Sequence, residues 1–335
     1  MRTIDWVDGA IEIIDQNLLP TTVTTRLLET PASVIEAIQA LAVRGAPALG
    51  VAGAMGVAQL ADQCADPQSV RRLAAELREA RPTAVNLSWG VDRALSKLSD
   101  GAEAVLEEAL RIRDEDIAAC TDMGRNGADL LRELVPYAKL RVMTICNTGG
   151  LAAVERGTAL GVIQTVHEQG WLEEVIPLET RPLLQGSRLT AWELSRMGAP
   201  FKLTIDSAGP FLLSRGKADA VLIGADRIVA NGDTANKIGS FSLALAAKHA
   251  GIPFIVVAPE STIDTATASG AEIEIEDRGS DEVTHWGTRQ TAPVGTQTLN
   301  PAFDVTPHHL ITAIVTESRV VRFDRGDSLD TSQIG

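Results

Sequence analysis

The chain has 335 residues, 45% hydrophobic but only 4% aromatic, and 44 acidic against 30 basic side chains give it a formal net charge of −14. Such a field repels nucleic-acid phosphates and anionic membranes, which excludes both as partners and leaves small anions only where arginines, lysines and helix N-termini gather. No apolar run reaches the ~20 residues that cross a bilayer. The N-terminus lacks the features of a signal peptide. Three widely spaced cysteines (Cys64, Cys120, Cys146) with no CxxC pair fit a reducing cytoplasm better than a disulfide framework. The five histidines have no zinc-ligand spacing, so no metal is expected.

In chain order, AIEIID and TTVTTRLLE read as short strands of a small antiparallel sheet. Thr30-Pro31 is a helix start, with a capping side chain ahead of a proline at the first position. Pro47 starts a second helix through Val51, Met55 and Ala58; further helical pattern runs from about 68 to 78 and from 91 to about 117. From about 123 the pattern changes to short apolar runs alternating with amphipathic segments. The runs are RVMTI, EEVIPLE, FKLTID, ADAVLIG, PFIVVA and RVVRF, and TPHHLITAIVTE reads as the last helix. Continuous apolar strands separated by helices imply a parallel sheet covered on both faces. The fold expected is therefore α/β. Residues 1–122 are expected to form a small, mostly helical N-terminal domain with a short antiparallel sheet, and residues 123–335 a Rossmann-like domain, which would carry any catalytic site at its strand exits. The acidic piece from about 272 to 299 reads as a surface excursion.

In an open parallel sheet, ligands bind beyond the carboxyl ends of the strands. Neither GxGxxG after a strand nor GxxxxGK[ST] occurs, which argues against a dinucleotide or P-loop enzyme. The exits are nonetheless polar. Cys146 follows RVMTI, either as a small buried hydrophobe or as a thiol activated by the amides of the next turn. Asp226 follows VLIGA, either as a cap or partner of Arg227 or as a partly desolvated proton donor. Asn236-Lys237 precedes an apolar helix starting near Ile238, where the lysine either faces water or meets a phosphate held by helix-terminal amides. Arg44, Gly45 and Ala46, just ahead of the Pro47 helix, form a second candidate anion site or an ordinary helix–helix turn. Arg81 and Gln185 are further polar candidates, the glutamine for a sugar hydroxyl.

The motifs RGAPALG, RPTAVNLSW, CNTGGLAAVERGTALGV, ETRPLLQGSRLTAWEL, DSAGP, GADRIVANGDTANKIGS and TPHHLITAIVTE occur in this order. Over nearly its whole length the chain resembles the methylthioribose-1-phosphate isomerase family of methionine salvage, which is related to regulatory subunits of a translation initiation exchange factor. The resemblance implies catalytic roles for Cys146 and Asp226. It implies substrate contacts at Arg44, Gly45, Ala46, Arg81, Gln185, Asn236 and Lys237. It also implies a homodimer, no cofactor, and a sugar phosphate as substrate. Gly150, residues 154–156 and Ser88 depart from the commonest family wording, which bears on the sugar more than on the reaction. Two other readings stand beside this one: an isomerase of 5-deoxyribose 1-phosphate or ribose 1,5-bisphosphate, and a non-catalytic sensing subunit, which has no use for Cys146, Asp226 and Lys237 together.

Overall fold

A computed structural model describes residues 2–329 apart from 65, 82–83 and 137–138. Pro82 and Thr83 of the RPT motif and residues 330–335 lie outside the described residues. Strands β1 (Ile4–Val7), β2 (Ala10–Ile14) and β3 (Thr25–Leu28) form the antiparallel sheet expected, with Ile4 opposite Ile13 and Ile11 opposite Leu28. Helix α1 (Pro31–Gln39) starts where the sequence signals it: the Thr30 hydroxyl accepts the Ser33 amide at 3.2 Å.

Helix α2 (Ala46–Gln63) is mostly alanine, glycine and valine and is buried over most of its length. Its small side chains permit close approach. After α3 (Pro67–Arg78), helix α4 (Val85–Leu95) comes near enough that a Cβ on Gly90 would lie 2.1 Å from the Gly50 carbonyl oxygen. The helix expected from 91 to 117 is broken: a 3-10 turn at Leu98–Asp100 and Gly101 (φ 102°) reverse the chain. Helix α5 (Ala102–Leu134) then runs on without interruption through residues 122 and 123.

The remaining elements are β4 (Leu140–Thr144), α6 (Ala159–Glu168), β5 (Leu172–Pro177), α7 (Ala191–Met197), α8 (Ala208–Ser214), β6 (Ala220–Ile223), β7 (Arg227–Val229) and β8 (Thr234–Lys237). They continue with α9 (Ser240–Ala250), β9 (Phe254–Val257), β10 (Ile263–Asp264), α10 (Asp281–Thr284), β11 (His285–Trp286), β12 (Arg289–Gln290), β13 (Phe303–Thr306), β14 (Ala313–Val315) and β15 (Val320–Arg322). The main sheet has the order β15-β14-β9-β6-β4-β5, parallel except for β15. Side chains alternate across it. Val142, Leu222 and Ile255 pack under α5 and α6, while Met143, Val221 and Val256 pack under α8 and α9. Each fully buried aliphatic side chain of this kind contributes about 1.5–3 kcal/mol, which is why both faces stay covered.

Two expectations are corrected, and one further sheet is added. Residues 201–206 make no strand; they run beside β5 with single bridges at Phe201 and Thr204. The segment 306–317 is not a helix: after a 3-10 turn at His308–Leu310 it becomes β14, parallel to β9, because the β-branched Ile314 and Val315 fill a doubly covered position. Finally, a second sheet, β10-β7-β8-β13, is built largely from polar sequence beyond the carboxyl end of β6.

Candidate active site

In the main sheet the neighbours of β4 are β5 on one side and β6 on the other, so the strand order switches direction there. An α/β sheet opens a crevice at such a point. Cys146 leaves the tip of β4, and Asp226 follows β6. Cys146, Asp226, Arg44, Gly45, Ala46, Arg81, Gln185, Asn236 and Lys237 all line one cleft of about 650 Å³ of empty space, part of it open to solvent. All nine residues singled out in the sequence are thus brought together.

Cys146 is 8% exposed and holds a left-handed backbone (φ 64°), a conformation that costs a non-glycine residue on the order of 1 kcal/mol. Two threonines fix it. Its N–H donates to Thr180 Oγ1 at 2.8 Å, and its carbonyl accepts from Thr190 Oγ1 at 2.6 Å. No helix starts at this cysteine; α6 begins only at Ala159. Two amides further along the turn are taken: Gly150 N–H donates to Glu193 Oε2 at 2.8 Å and Leu151 N–H to Oε1 at 3.4 Å. Asp226 is half-buried, and its N–H donates to the Ala235 carbonyl at 2.9 Å. Arg227 lies 3.9 Å from Asp264, so the expected alternative of an Asp226–Arg227 pair is replaced by that contact.

Lys237, the last residue of β8, is 5% exposed. Its Nζ donates to the Ala302 carbonyl at 2.8 Å and sits 4.3 Å over the Phe303 ring. Burial draws its ammonium down to about 8; Arg278 and Arg81 push the same way, against Cys146 and Asp226. The helix-terminal amides expected to hold a phosphate beside Lys237 are occupied: Asp304 accepts from Gly239 at 2.7 Å and Phe241 at 3.1 Å. Burial raises that carboxyl to about 6, opposed by the two amides and by Lys237. The N-terminus of α2 is different. It has no side-chain cap, and Gly45 (φ 99°) approaches so closely that a Cβ there would lie 2.4 Å from Ala152 Cα. Its first residues line the cleft beside Arg44.

Arg44 donates to Asn147 through Nη1 to Oδ1 and Nη2 to the carbonyl, both at 2.9 Å. Arg81 is drawn below its ordinary value by burial, with Asp226 and Glu276 opposing. Gln185 Oε1 is buried without a hydrogen-bond partner, and Asn236 Nδ2 donates to Ser240 Oγ at 2.8 Å. A buried acceptor left unpaired costs about 1–3 kcal/mol unless a ligand supplies the donor.

Sequence reasoning missed Arg278, which lines the cleft as a further cation and is held by Glu276 at 3.0 Å. It lies in the stretch read as a surface excursion, where no periodicity marks it. Asn147, Thr148 and Thr158 also line the cleft, and only their place in the long motif after Cys146 could have marked them.

With this geometry in view, the profile of the initiation factor 2 subunit family matches residues 42–322. The chain belongs to that family. Within it, the chain is 50% identical to a methylthioribose-1-phosphate isomerase of Anaeromyxobacter sp. (strain K) over 96% of this chain and 93% of that one. It is 45% identical to a 5-deoxyribose 1-phosphate isomerase of Moorella thermoacetica, over 95% and 93%. A probable bifunctional methylthioribose-1-phosphate isomerase/methylthioribulose-1-phosphate dehydratase of Nocardia farcinica is 50% identical over 96% of this chain, but the chain spans only 60% of that longer protein. Among solved structures, a 5-methylthioribose 1-phosphate isomerase from Pyrococcus horikoshii OT3 superposes with a TM-score of 0.86 at 39% identity, covering 96% and 92% of the two chains. These matches place the family relationship, and with it the α/β fold, on firm ground.

Proposed function

We propose that this chain converts 5-methylthioribose 1-phosphate to 5-methylthioribulose 1-phosphate, an aldose–ketose isomerisation in methionine salvage. The observation that carries the reading is the juxtaposition at the switch point: a thiol and a carboxyl group on neighbouring strand exits, facing a cleft also lined by Arg44, Arg81, Lys237 and Arg278. In a chain of net charge −14, that local reversal of sign suits a phosphorylated ligand.

The substrate dictates the chemistry. Phosphate on the anomeric oxygen prevents spontaneous opening to a free aldehyde, so the site opens the ring itself. Asp226 gives a proton to the ring oxygen as its bond to carbon 1 breaks. Cys146 serves at carbons 1 and 2, where hydrogen passes from carbon 2 to carbon 1 and the carbon 2 hydroxyl becomes the ketone, its proton replacing the one Asp226 gave up. The cations and the Gly45 and Ala46 amides hold the phosphate against elimination. Gln185 offers its unpaired oxygen to a sugar hydroxyl. Asn236 helps to hold the ring.

Measuring kcat/KM for methylthioribose 1-phosphate, 5-deoxyribose 1-phosphate and ribose 1,5-bisphosphate side by side tests the reading. The first is expected to lead; a lead by either other sugar reassigns the substrate, and ketose from none removes the enzyme reading. We further infer a homodimer acting in the cytoplasm. Exposed apolar side chains on and before α8 and α9 (Leu203, Ile205, Phe211, Phe241 and Leu245) support the dimer, and among the described residues no helix is long and apolar enough to cross a membrane.

A further inference from the structure

One half-buried glutamate near the cleft takes no part in the reaction described above, yet its carboxylate holds groups that line the cleft. Glu193 lies in the first turn of α7, just after a π-helical segment at Gly186–Thr190. Such segments reset the face a helix presents, and they recur at functional sites. Here the reset aims both Thr190 and Glu193 at the turn after β4. Glu193 Oε1 accepts from Asn147 Nδ2 at 2.7 Å and from Leu151 N–H at 3.4 Å, while Oε2 accepts from Gly150 N–H at 2.8 Å. Burial pushes this carboxyl up, opposed by Asn147, the two amides and Arg44; every partner is a donor, which suits the ionised form and no neutral amide. The relay continues, because Asn147 Oδ1 and carbonyl receive both terminal nitrogens of Arg44 at 2.9 Å. Gly149 leaves room for it: a Cβ there would stand 2.3 Å from Glu193 Oε2.

We propose that Glu193 is a positioning residue, which through Asn147 fixes the Arg44 guanidinium and holds the strained turn that presents Cys146. The proposal rests on the isomerase reading for its kinetic consequence but not for the relay itself. Its logic is geometric. A left-handed cysteine persists only if its surroundings over-determine it, and an arginine oriented at two nitrogens loses little freedom when the ligand arrives. A displacement of about 1 Å at such a group can cost on the order of 100-fold in rate.

The test is a polarity swap. Glu193→Gln keeps the shape but sets an amide donor against donors, and kcat is expected to fall by about 100-fold. Adding Asn147→Asp supplies an acceptor to the new amide and still receives Arg44, so the double variant is expected to regain at least about tenfold of the lost kcat. Gly149→Ala, whose only new atom presses on the carboxylate, is expected to lower kcat in the same direction; it carries the test if Glu193→Gln does not fold. Calorimetry with inorganic phosphate reads the relay without turnover, the dissociation constant weakening about tenfold in Glu193→Gln. If wild-type protein makes no ketose, the isomerase reading fails, and the phosphate titration alone decides the relay. Near-normal kcat and phosphate affinity in Glu193→Gln overturn the proposal. So does a double variant that regains melting temperature without kcat, since that marks Glu193 as structural only.

Discussion

The region before β4 and the region from β4 onward are packed by different rules and bring different chemistry to the same cleft. Before β4, small residues let helices touch at backbone distance: α2 and α4 meet at Gly50 and Gly90, and the uncapped N-terminus of α2 brings Arg44, Gly45 and Ala46 to the cleft. From β4 onward, mostly aliphatic strands bury both faces of a sheet and place Cys146 and Asp226 at two of their exits. The difference teaches a division of labour. On the proposed mechanism the helical region supplies only charge and amides that bind. The later region adds further binding groups, Lys237 and Arg278 among them, and alone carries the groups that move protons.

The largest effects should separate the two regions cleanly. Cys146→Ser and Asp226→Asn are each expected to lower kcat by about 1000-fold while KM stays within a few-fold, as steady-state kinetics will show. Arg81→Met, on the helical side, should instead raise KM by at least about tenfold with a smaller change in kcat, since it removes a charged contact made in ground and transition states alike. A fall in kcat alone for Arg81→Met breaks the division.

Lys237 sharpens it through pH. Its ammonium, drawn down to about 8 by burial, is present below that pH and lost above it. KM for the phosphorylated sugar is therefore expected to rise above about pH 8, and Lys237→Met should flatten that limb. Stability moves the other way. The unfolded chain keeps this proton up to its ordinary value of 10.5, so the burial cost is present below about 8 and is relieved as pH climbs between the two. Chemical denaturation of the empty protein at pH 7 and pH 9.5 should show this contribution vanish in Lys237→Met.

The smallest kinetic effect belongs to the helix contact. Gly90→Ala places a Cβ against the Gly50 carbonyl, and is expected to cost about 1–3 kcal/mol in urea denaturation with kcat/KM unchanged.

Much of this arrangement was legible in the sequence. Thr30-Pro31 marked a helix start because capping and proline geometry are local, and the β4, β6 and β9 runs marked strands because burial on both faces demands unbroken apolar sequence. The nine candidates that line the cleft were legible one by one only as weak signals, such as polar groups at strand exits and ahead of α2, and as a set through the family resemblance. The second sheet was not, since Thr234, Ala235, Asn236 and Lys237 form a buried strand with no apolar pattern; their burial is set by the cleft, not by a core. Residues 306–317 misled because Leu310, Ile311, Ile314 and Val315 fall at helical spacing while filling a three-residue strand. Arg278 and Glu193 escaped because each acts through tertiary neighbours, Glu276 and Asn147, that no spacing rule connects.

The division of labour rests on Cys146 and Asp226 acting on one sugar ring. The direct measurement is carbon NMR of methylthioribose 1-phosphate labelled at carbon 2, incubated with wild-type protein and with each variant. The account predicts that the labelled carbon becomes a ketone with wild-type protein and stays a carbinol with Cys146→Ser and Asp226→Asn. Ketone formation by either variant at the wild-type rate, or none with the wild-type protein, would contradict it.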